Sequence, residues 1–327
     1  MTGPPSDLGD VGERVLLARL EEPRAATTTR LAVVGDPHVA TRSEGTYRVF
    51  HRTEQRLRTA IADVNERDVD LVLFPGDLTK DGEPWNYDRV DVLLEELEQP
   101  YVATPGNHDL QKTHDEHRCP STTAFADRYA PEPFPFHRSI GDVDLFVLNS
   151  AAGPEGPYAD THRGSVSERQ LAWLDERLEE AETAIVACHH NPMPIVSDPL
   201  CRMEPWNVFT LQNRERVHAV LADHDVSLVV SGHHHLPAVV QRSGLTQLIA
   251  PAASLYPQAY CLLEIDERGT NVWLVSHATA SGREEAYQLA AEGPAYQRTL
   301  LGLVEDALCD LPLYYEPPRI RGTPLTD

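Results

Sequence analysis

A chain of 327 residues with 41% hydrophobic content can bury a substantial core and is long enough for one large domain or two small ones. A net charge of −23, with Lys80 and Lys112 its only lysines, leaves no basic stripe to track a nucleic-acid backbone, and no apolar run approaches a bilayer span. Met1 to Arg30 lacks the basic-then-apolar pattern of a leader, so a cytoplasmic protein is expected. The acidic, lysine-poor composition fits a salt-adapted (halophilic) cytoplasm, an arginine-favouring genome being the other source.

Along the chain, Arg14–Glu21 alternates weakly and reads as a strand or a short helix. From Leu31 the order becomes regular. Leu31–Val34 is a short apolar run feeding Gly35-Asp36, and Arg48–Glu66 has helical spacing through Val49, Leu57, Ile61 and Val64. Leu71–Phe74 is a buried strand closed by Pro75-Gly76-Asp77, Glu83–Leu97 a helix, and Tyr101–Thr104 a strand running into Gly106-Asn107-His108-Asp109. Gln111–His137 is polar and proline-punctuated, an active-site loop with a short helix or a small cap. Val143–Leu148 is a strand, and Ser167–Ala181 an amphipathic helix with Ser167 as its N-cap. Strands follow at Ala184–Cys188, Leu228–Val230, Gln247–Ala250, Cys261–Ile265 and Val272–Ser276, with a last helical pattern over Tyr296–Leu308. Helices alternating with strands early, and closer strands late, predict a layered α/β sandwich with mixed sheets. The five cysteines have no close pair and are expected as free thiols.

Five blocks lie where these strands hand over to loops: Asp36-Pro37-His38, Gly76-Asp77, Gly106-Asn107-His108-Asp109, His189-His190 and Gly232-His233-His234-His235. Asp36 and His38, two apart, would face one side of an extended strand end, as would His233 and His235, with His234 pointing away. Asp77 carries two oxygens with which to bridge two cations, and Asn107 offers a neutral amide oxygen. This nitrogen and oxygen set, free of thiolate, suits Mn, Fe, Zn, Co or Ni. Taken singly, each block has a plain structural reading: a turn, a helix cap, a surface histidine cluster. The ordered set of five points to a dinuclear metal hydrolase.

The same blocks resemble the five motifs of the calcineurin-like metallophosphoesterases over roughly Leu31 to Asp266. Leu71-Val-Leu-Phe-Pro-Gly-Asp-Leu-Thr-Lys-Asp-Gly-Glu-Pro and Leu171-Ala-Trp-Leu are similar to the class III cyclic-nucleotide phosphodiesterase branch. The resemblance implies a four-layer α/β/β/α sandwich over residues 31–277, with an N-terminal extension, 1–30, and a helical, Pro-rich C-terminal extension, 278–327. It implies two metal ions (Mn, Fe or Zn), one on Asp36, His38 and His235, the other on Asn107, His189 and His233, with Asp77 bridging. His108 would be the catalytic group, protonating the leaving oxygen or stabilising the transition state while a hydroxide held between the ions attacks phosphorus in line.

The fourth block departs from that branch, which reads His-His-Pro-Pro where this chain has His189-His190-Asn191-Pro192, so either histidine could be the ligand. No arginine follows Gly-Asn-His-Asp, and Lys112 is the candidate substitute. Leu78-Thr79-Lys80 lacks the tyrosine of purple acid phosphatases. His114 and His117 could line a substrate pocket or be solvated loop residues. Trp206, Phe209 and Tyr256 could stack a base or aryl group or fill packing, and Arg202 could meet a phosphate or a carboxylate. The expected substrate is a small phosphate ester, most simply a diester. A phosphomonoesterase of the same fold, or a catalytically silent binding scaffold, is the alternative.

Overall fold

The computed structural model describes residues 8–113, 115–151, 162–197, 200–202 and 206–317. Two sheets lie face to face. The first has seven strands in the order β13-β1-β12-β11-β2-β3-β4, built from β1 (Arg14–Leu20), β2 (Thr29–Val33), β3 (Leu71–Phe74), β4 (Tyr101–Ala103), β11 (Ala259–Asp266), β12 (Gly269–Ser276) and β13 (Tyr314–Tyr315). The second runs β5-β6-β7-β8-β10-β9, from β5 (Phe136–Ile140), β6 (Val143–Val147), β7 (Ala184–Ala187), β8 (Leu228–Ser231), β9 (Ala238–Arg242) and β10 (Leu245–Ile249). Within them β2-β3-β4 and β6-β7-β8-β10 are parallel runs, and the flanking strands pair antiparallel except β13, which runs parallel to β1.

The period of two along each central strand assigns every side chain to a layer. Leu31, Val33, Leu71, Leu73, Cys261 and Leu263 meet Leu145, Val147, Ile185, Ala187, Leu228 and Val230 between the sheets. The alternate residues Ala32, Val72, Phe74, Tyr260 and Leu262 face outward onto α1 (Thr53–Asn65), α2 (Pro84–Leu94) and α3 (Thr122–Tyr129). Phe146, Val186 and Val229 face α4 (Glu168–Leu178) and α5 (Arg214–Asp223). The result is the expected α/β/β/α sandwich. Strands covered on both faces have no polar side, which is why they read as continuous apolar runs.

The segments at the two ends of the chain are part of this body. Arg14–Leu20 settles as a strand that pairs along β12 from Arg14 with Val275 to Leu20 with Thr270. After β12, α6 (Ala280–Ala291) and α7 (Ala295–Cys309) form a hairpin that drives Ala286, Ala290, Leu300, Leu301, Val304 and Leu308 into the core between the sheets. The hairpin is also tied to the entry of α1, because Glu285 accepts from Arg52 Nε at 3.1 Å and lies 2.9 Å from His51 Nε2.

Ser167 caps α4 as expected, its hydroxyl accepting from the Gln170 N–H. The Gln111–His137 stretch holds one helix, α3, capped by Ser121, and ends in the edge strand β5. That strand, together with α5, α6 and β9, is absent from the sequence reading. Their patterns are faint for a physical reason: α5 buries only Val217 and Leu221, α6 one large residue, Tyr287, beside Gly282, Ala286 and Ala290, and β9 is an edge strand with Gln241 and Arg242 exposed.

Candidate metal centre

The parallel strands β2, β3, β4, β7 and β8 all end toward one side, and the five blocks follow directly from them, bringing residues as distant in sequence as Asp36 and His235 within reach. The extended alternation expected for Asp36-x-His38 and His233-x-His235 is not how the pairs converge. Asp36, His38, Asp77, His233 and His235 all have positive φ, between 43° and 70°. Three of the five blocks are thus left-handed turns that curl their side chains back over the strand ends. Such a conformation costs about 1–3 kcal/mol per non-glycine residue, and Asp and His are among the few types that adopt it readily.

Two glycines are demanded by the close approach of these turns. Gly76, at φ 109°, abuts His189, whose Nδ1 would lie 2.4 Å from an added Cβ. A Cβ on Gly106 would sit 2.0 Å from Asp77 Oδ1. Asp109 locks the same two turns together. Its fully buried carboxylate accepts from the N–H groups of Leu78, Thr79 and Gly106 at 3.0–3.1 Å. Burial and the neighbouring Asp77 push its pKa up to about 7.

The side chains fall into two adjoining groups. Asp36, His38, Asp77 and His235 bring one donor atom each within 4.8 Å of one another, and so do His189, His190 and His233. In the first group His38 Nε2 lies 3.1 Å from His235 Nε2 and 3.6 Å from Asp77 Oδ2, while His235 Nε2 is 3.8 Å from Asp36 Oδ1. In the second, His189 Nε2 lies 3.1 Å from both Asn107 Oδ1 and His233 Nδ1, and 3.5 Å from Asp77 Oδ2. Asp77 Oδ2 thus faces both groups, and it is buried with no hydrogen-bond partner among the described residues.

This donor set fits cations. Burial, above all, pushes His38, His189, His233 and His235 below the usual imidazole range, which keeps them neutral, the form that ligates metal. Burial would raise Asp77, but the nearby His189, His108 and His38 outweigh it and hold the carboxylate ionised. The His189 ring is oriented by its other nitrogen, Nδ1, 2.8 Å from the Pro75 carbonyl, the outer-sphere contact that aims Nε2. His190 instead contacts Ser150 Oγ through Nδ1 at 2.9 Å. His234 turns away as expected, toward Trp206 and Phe209, and burial lowers its pKa to about 3.

His108 stands at the edge of the first group, its ring 5.0 Å from that of His38. Nδ1 meets Asp81 Oδ1 at 2.8 Å, and Nε2 is 3.3 Å from Arg48 Nη2. A guanidinium only donates, so Nε2 accepts there and Nδ1–H donates to Asp81. Burial would raise Asp81, but this bond and the Lys80 ammonium beside it hold it well below the usual carboxylate range.

A cavity of about 280 Å³ opens over the centre, walled by Tyr47, Arg48, Phe209, Tyr296 and Gln297. Of the substrate-side residues weighed from sequence, Phe209 alone lines it. Trp206 lies one layer back against Tyr296, and Tyr256 packs in the core against Tyr287. His117 lies 2.6 Å from the Asp81 carbonyl, Arg202 lines a separate groove, and His114 is outside the described residues. Lys112 is buried beside Asp115, its Nζ 3.5 Å from the Asn107 carbonyl, and does not line this cavity. Arg48 occupies the position for which Lys112 was considered. Nothing in its local sequence marks it, since it precedes α1 by a turn and reaches the site only through tertiary folding.

Comparison with known proteins agrees with this geometry. Residues 29–237 match the family model of the calcineurin-like phosphoesterases. A protein of Synechococcus sp. named a probable cyclic nucleotide phosphodiesterase is 29% identical over 75% of this chain and 91% of its own length. A cAMP/cGMP dual specificity phosphodiesterase of Mycobacterium tuberculosis is 27% identical over 63% of this chain and 61% of that protein. Among solved structures, a dimetal phosphatase from Danio rerio superposes with a TM-score of 0.63 at 16% identity, covering 77% of this chain and 97% of that one. The chain belongs to the calcineurin-like phosphoesterase family and is a hydrolase of phosphate esters. No helix among the described residues is long and apolar enough to cross a membrane.

Proposed function

We propose that the protein is a phosphodiesterase acting on a small cyclic or aryl diester, with two metal ions held by the residues that meet at Asp77. Asp36, His38 and His235 would hold one ion and Asn107, His189 and His233 the other. Mn, Fe or Zn suits these donors. The observation that carries this reading is Asp77 Oδ2, buried without a hydrogen-bond partner and 3.5–3.6 Å from a ring nitrogen of each group. His189 is favoured over His190 because its Nε2 is the atom near both Asn107 and Asp77. Two cations so placed would supply an activated water and neutralise charge on the phosphoryl group.

The chain's own residues do the rest. Asp81 holds the Nδ1 proton of His108, so Nε2 is the atom turned to the substrate. Protonated there, His108 hands its proton to the departing alkoxide. Arg48 moves from His108 onto a phosphoryl oxygen, where a charge-assisted hydrogen bond steadies the diester and the charge that develops on it. Diester preference follows from the relatives named as cyclic nucleotide phosphodiesterases. The confined cavity, at the low end of ligand-pocket sizes, suits one small ester rather than a polymer backbone. A cytoplasmic setting, with high salt screening the −23 charge from an anionic substrate, completes the proposal.

The test is hydrolysis of bis- and mono-p-nitrophenyl phosphate by metal-stripped protein refilled with Mn²⁺, beside Asp77→Asn, with metal content measured in both. Two ions per chain and diester turnover that falls by at least about 10³-fold in the variant are expected. Monoester preference would replace the diester reading with a phosphatase, and a folded protein that takes up no metal would remove the dinuclear centre.

A further inference from the structure

A second cleft, of about 460 Å³, opens where α1 meets α6 and shares no lining residue with the cavity over the metal ligands. The N-terminal ends of both helices line it: Arg52 and Arg56 from α1, and Thr279, Ser281 and Gly282 from α6. Cations at that end of a helix sit against the positive pole of its dipole. Arg52, the N-cap of α1, supplies no side-chain cap bond to offset this.

Arg56 sharpens the imbalance. It is 5% exposed, and its Nε is buried with no hydrogen-bond partner among the described residues. Its guanidinium rests on the first turn of α6, where a Cβ on Gly282 would come within 2.2 Å of Nη2. The negative charge at hand is already engaged. Glu285, the acidic residue on the cleft, takes a bond from Arg52 Nε at 3.1 Å and lies 2.9 Å from His51 Nε2. Arg283 spends Nη1 on Ser276 Oγ and the Ala278 carbonyl. Burial, then the charges of Arg52 and Arg283, lower the pKa of Arg56 against the pull of Glu285.

A buried guanidinium without a charged partner is costly, and its fork of donors matches a phosphate. The first turn of a helix adds N–H groups that lack intrahelical acceptors. In α6 the Thr279 hydroxyl takes only one of these, from Gly282 at 3.2 Å, and holds Ser281 Oγ beside it at 3.1 Å.

We propose that this cleft binds a phosphate group, free or borne on a small monoester, between Arg56, Arg52 and the first turn of α6. The anion supplies the charge that Arg56 lacks and joins α1 to the C-terminal hairpin. Arg48 precedes Arg52 by four residues, and the hairpin carries Tyr296, so the substrate cavity has two of its walls tied to this cleft.

Isothermal titration of the full, Mn²⁺-loaded chain with inorganic phosphate and with ribose 5-phosphate, at constant ionic strength, tests the site. Asp77→Asn, which removes the phosphate proposed to sit on the metal ions, should still bind about one phosphate per chain. Adding Arg56→Gln should weaken that binding at least about tenfold. Gly282→Ala on the same background should also weaken it, since its methyl group displaces Arg56 while favouring the helix. Melting curves of each variant report folding. Binding left unchanged by both substitutions would overturn the site, as would an Asp77→Asn protein that takes up no phosphate. Comparable affinity for ribose 5-phosphate would support a site for ester phosphates, and binding of inorganic phosphate alone a site for the free ion. Identical titrations of wild type and Asp77→Asn, both weakened by Arg56→Gln, would support this cleft while counting against phosphate on the metal centre.

Discussion

The two faces of the cavity are built on opposite principles. The candidate ligand face comes from the ends of parallel strands within mixed sheets, where five residues in left-handed conformation, in three of the five blocks, aim their side chains through the backbone. The facing wall is assembled from the loop before α1, the loop before α5 and the first turn of α7, whose rings are placed by packing and whose Arg48 is held by His108. On the proposed reading the first face would act on the ester bond and the second would meet the rest of the substrate. The two interleave along the chain, Tyr47 and Arg48 falling between His38 and Asp77 and Phe209 between His189 and His233, so backbone conformation rather than sequence position sets them apart.

Substitutions should separate these faces cleanly. Gly106→Ala forces a methyl group into Asp77 Oδ1 and should abolish turnover, by at least about 10³-fold, with metal content falling in parallel. If that variant were active and fully loaded, the ligand face would not be backbone-fixed. Next, His108→Ala should lower kcat by about 10²–10³ with metal content retained, and Asp81→Asn should follow the same direction at about tenfold. A loss of metal in either variant would merge His108 with the ligand set.

The wall's anchorage has its own expected signature. His277, just before the hairpin, is buried with Nε2 3.0 Å from the Ala253 carbonyl, among Arg56, Asp63 and Arg283. Burial, as the main cause, lowers its pKa to about 4, below the unfolded value, so between about pH 6.5 and 4 the unfolded chain binds the extra proton. Stability is then lost on acidification through that window. Urea unfolding at pH 7 and pH 5 should show a drop that is smaller in His277→Gln, by up to about 2 kcal/mol. Identical drops would mean His277 is protonated in the folded state. Smallest of all, Arg48→Ala should raise KM about tenfold with a lesser fall in kcat. An unchanged KM would take Arg48 off the substrate.

What was legible in the sequence follows the same division. Asp36, His38, Asp77, Asn107, His108, His189, His233 and His235 stand out as candidates because polar side chains of metal-binding or acid–base type follow directly on apolar strands, and the fold gathers them at one side. The layered fold was legible because strands covered on both faces cannot carry polar residues. Tyr47, Arg48, Tyr296 and Gln297 are ordinary residues in ordinary stretches, and no local pattern says that the first turn of α7 reaches the cavity. The strand geometry inferred for the Asp-x-His and His-x-His pairs was too simple: a spacing of two is compatible with an extended end and with a left-handed turn alike, and φ is decided by the tight packing around Gly76 and Gly106. Asp81 was visible within a motif, but its service to His108 depends on the loop closing upon β4.

The left-handed turns also limit the vocabulary of change open to this enzyme. A glutamate can reach a metal as well as an aspartate can, yet it is poorly suited to the backbone at positions 36 and 77, as a β-branched or bulky residue would be at 38, 233 and 235. Re-tuning the centre for another metal by exchanging ligands would therefore breach two constraints at once, one of coordination and one of chain conformation. The helix tip carries no left-handed constraint, for Tyr296 lies in the first turn of α7 and is held by its packing on Phe209 and Trp206.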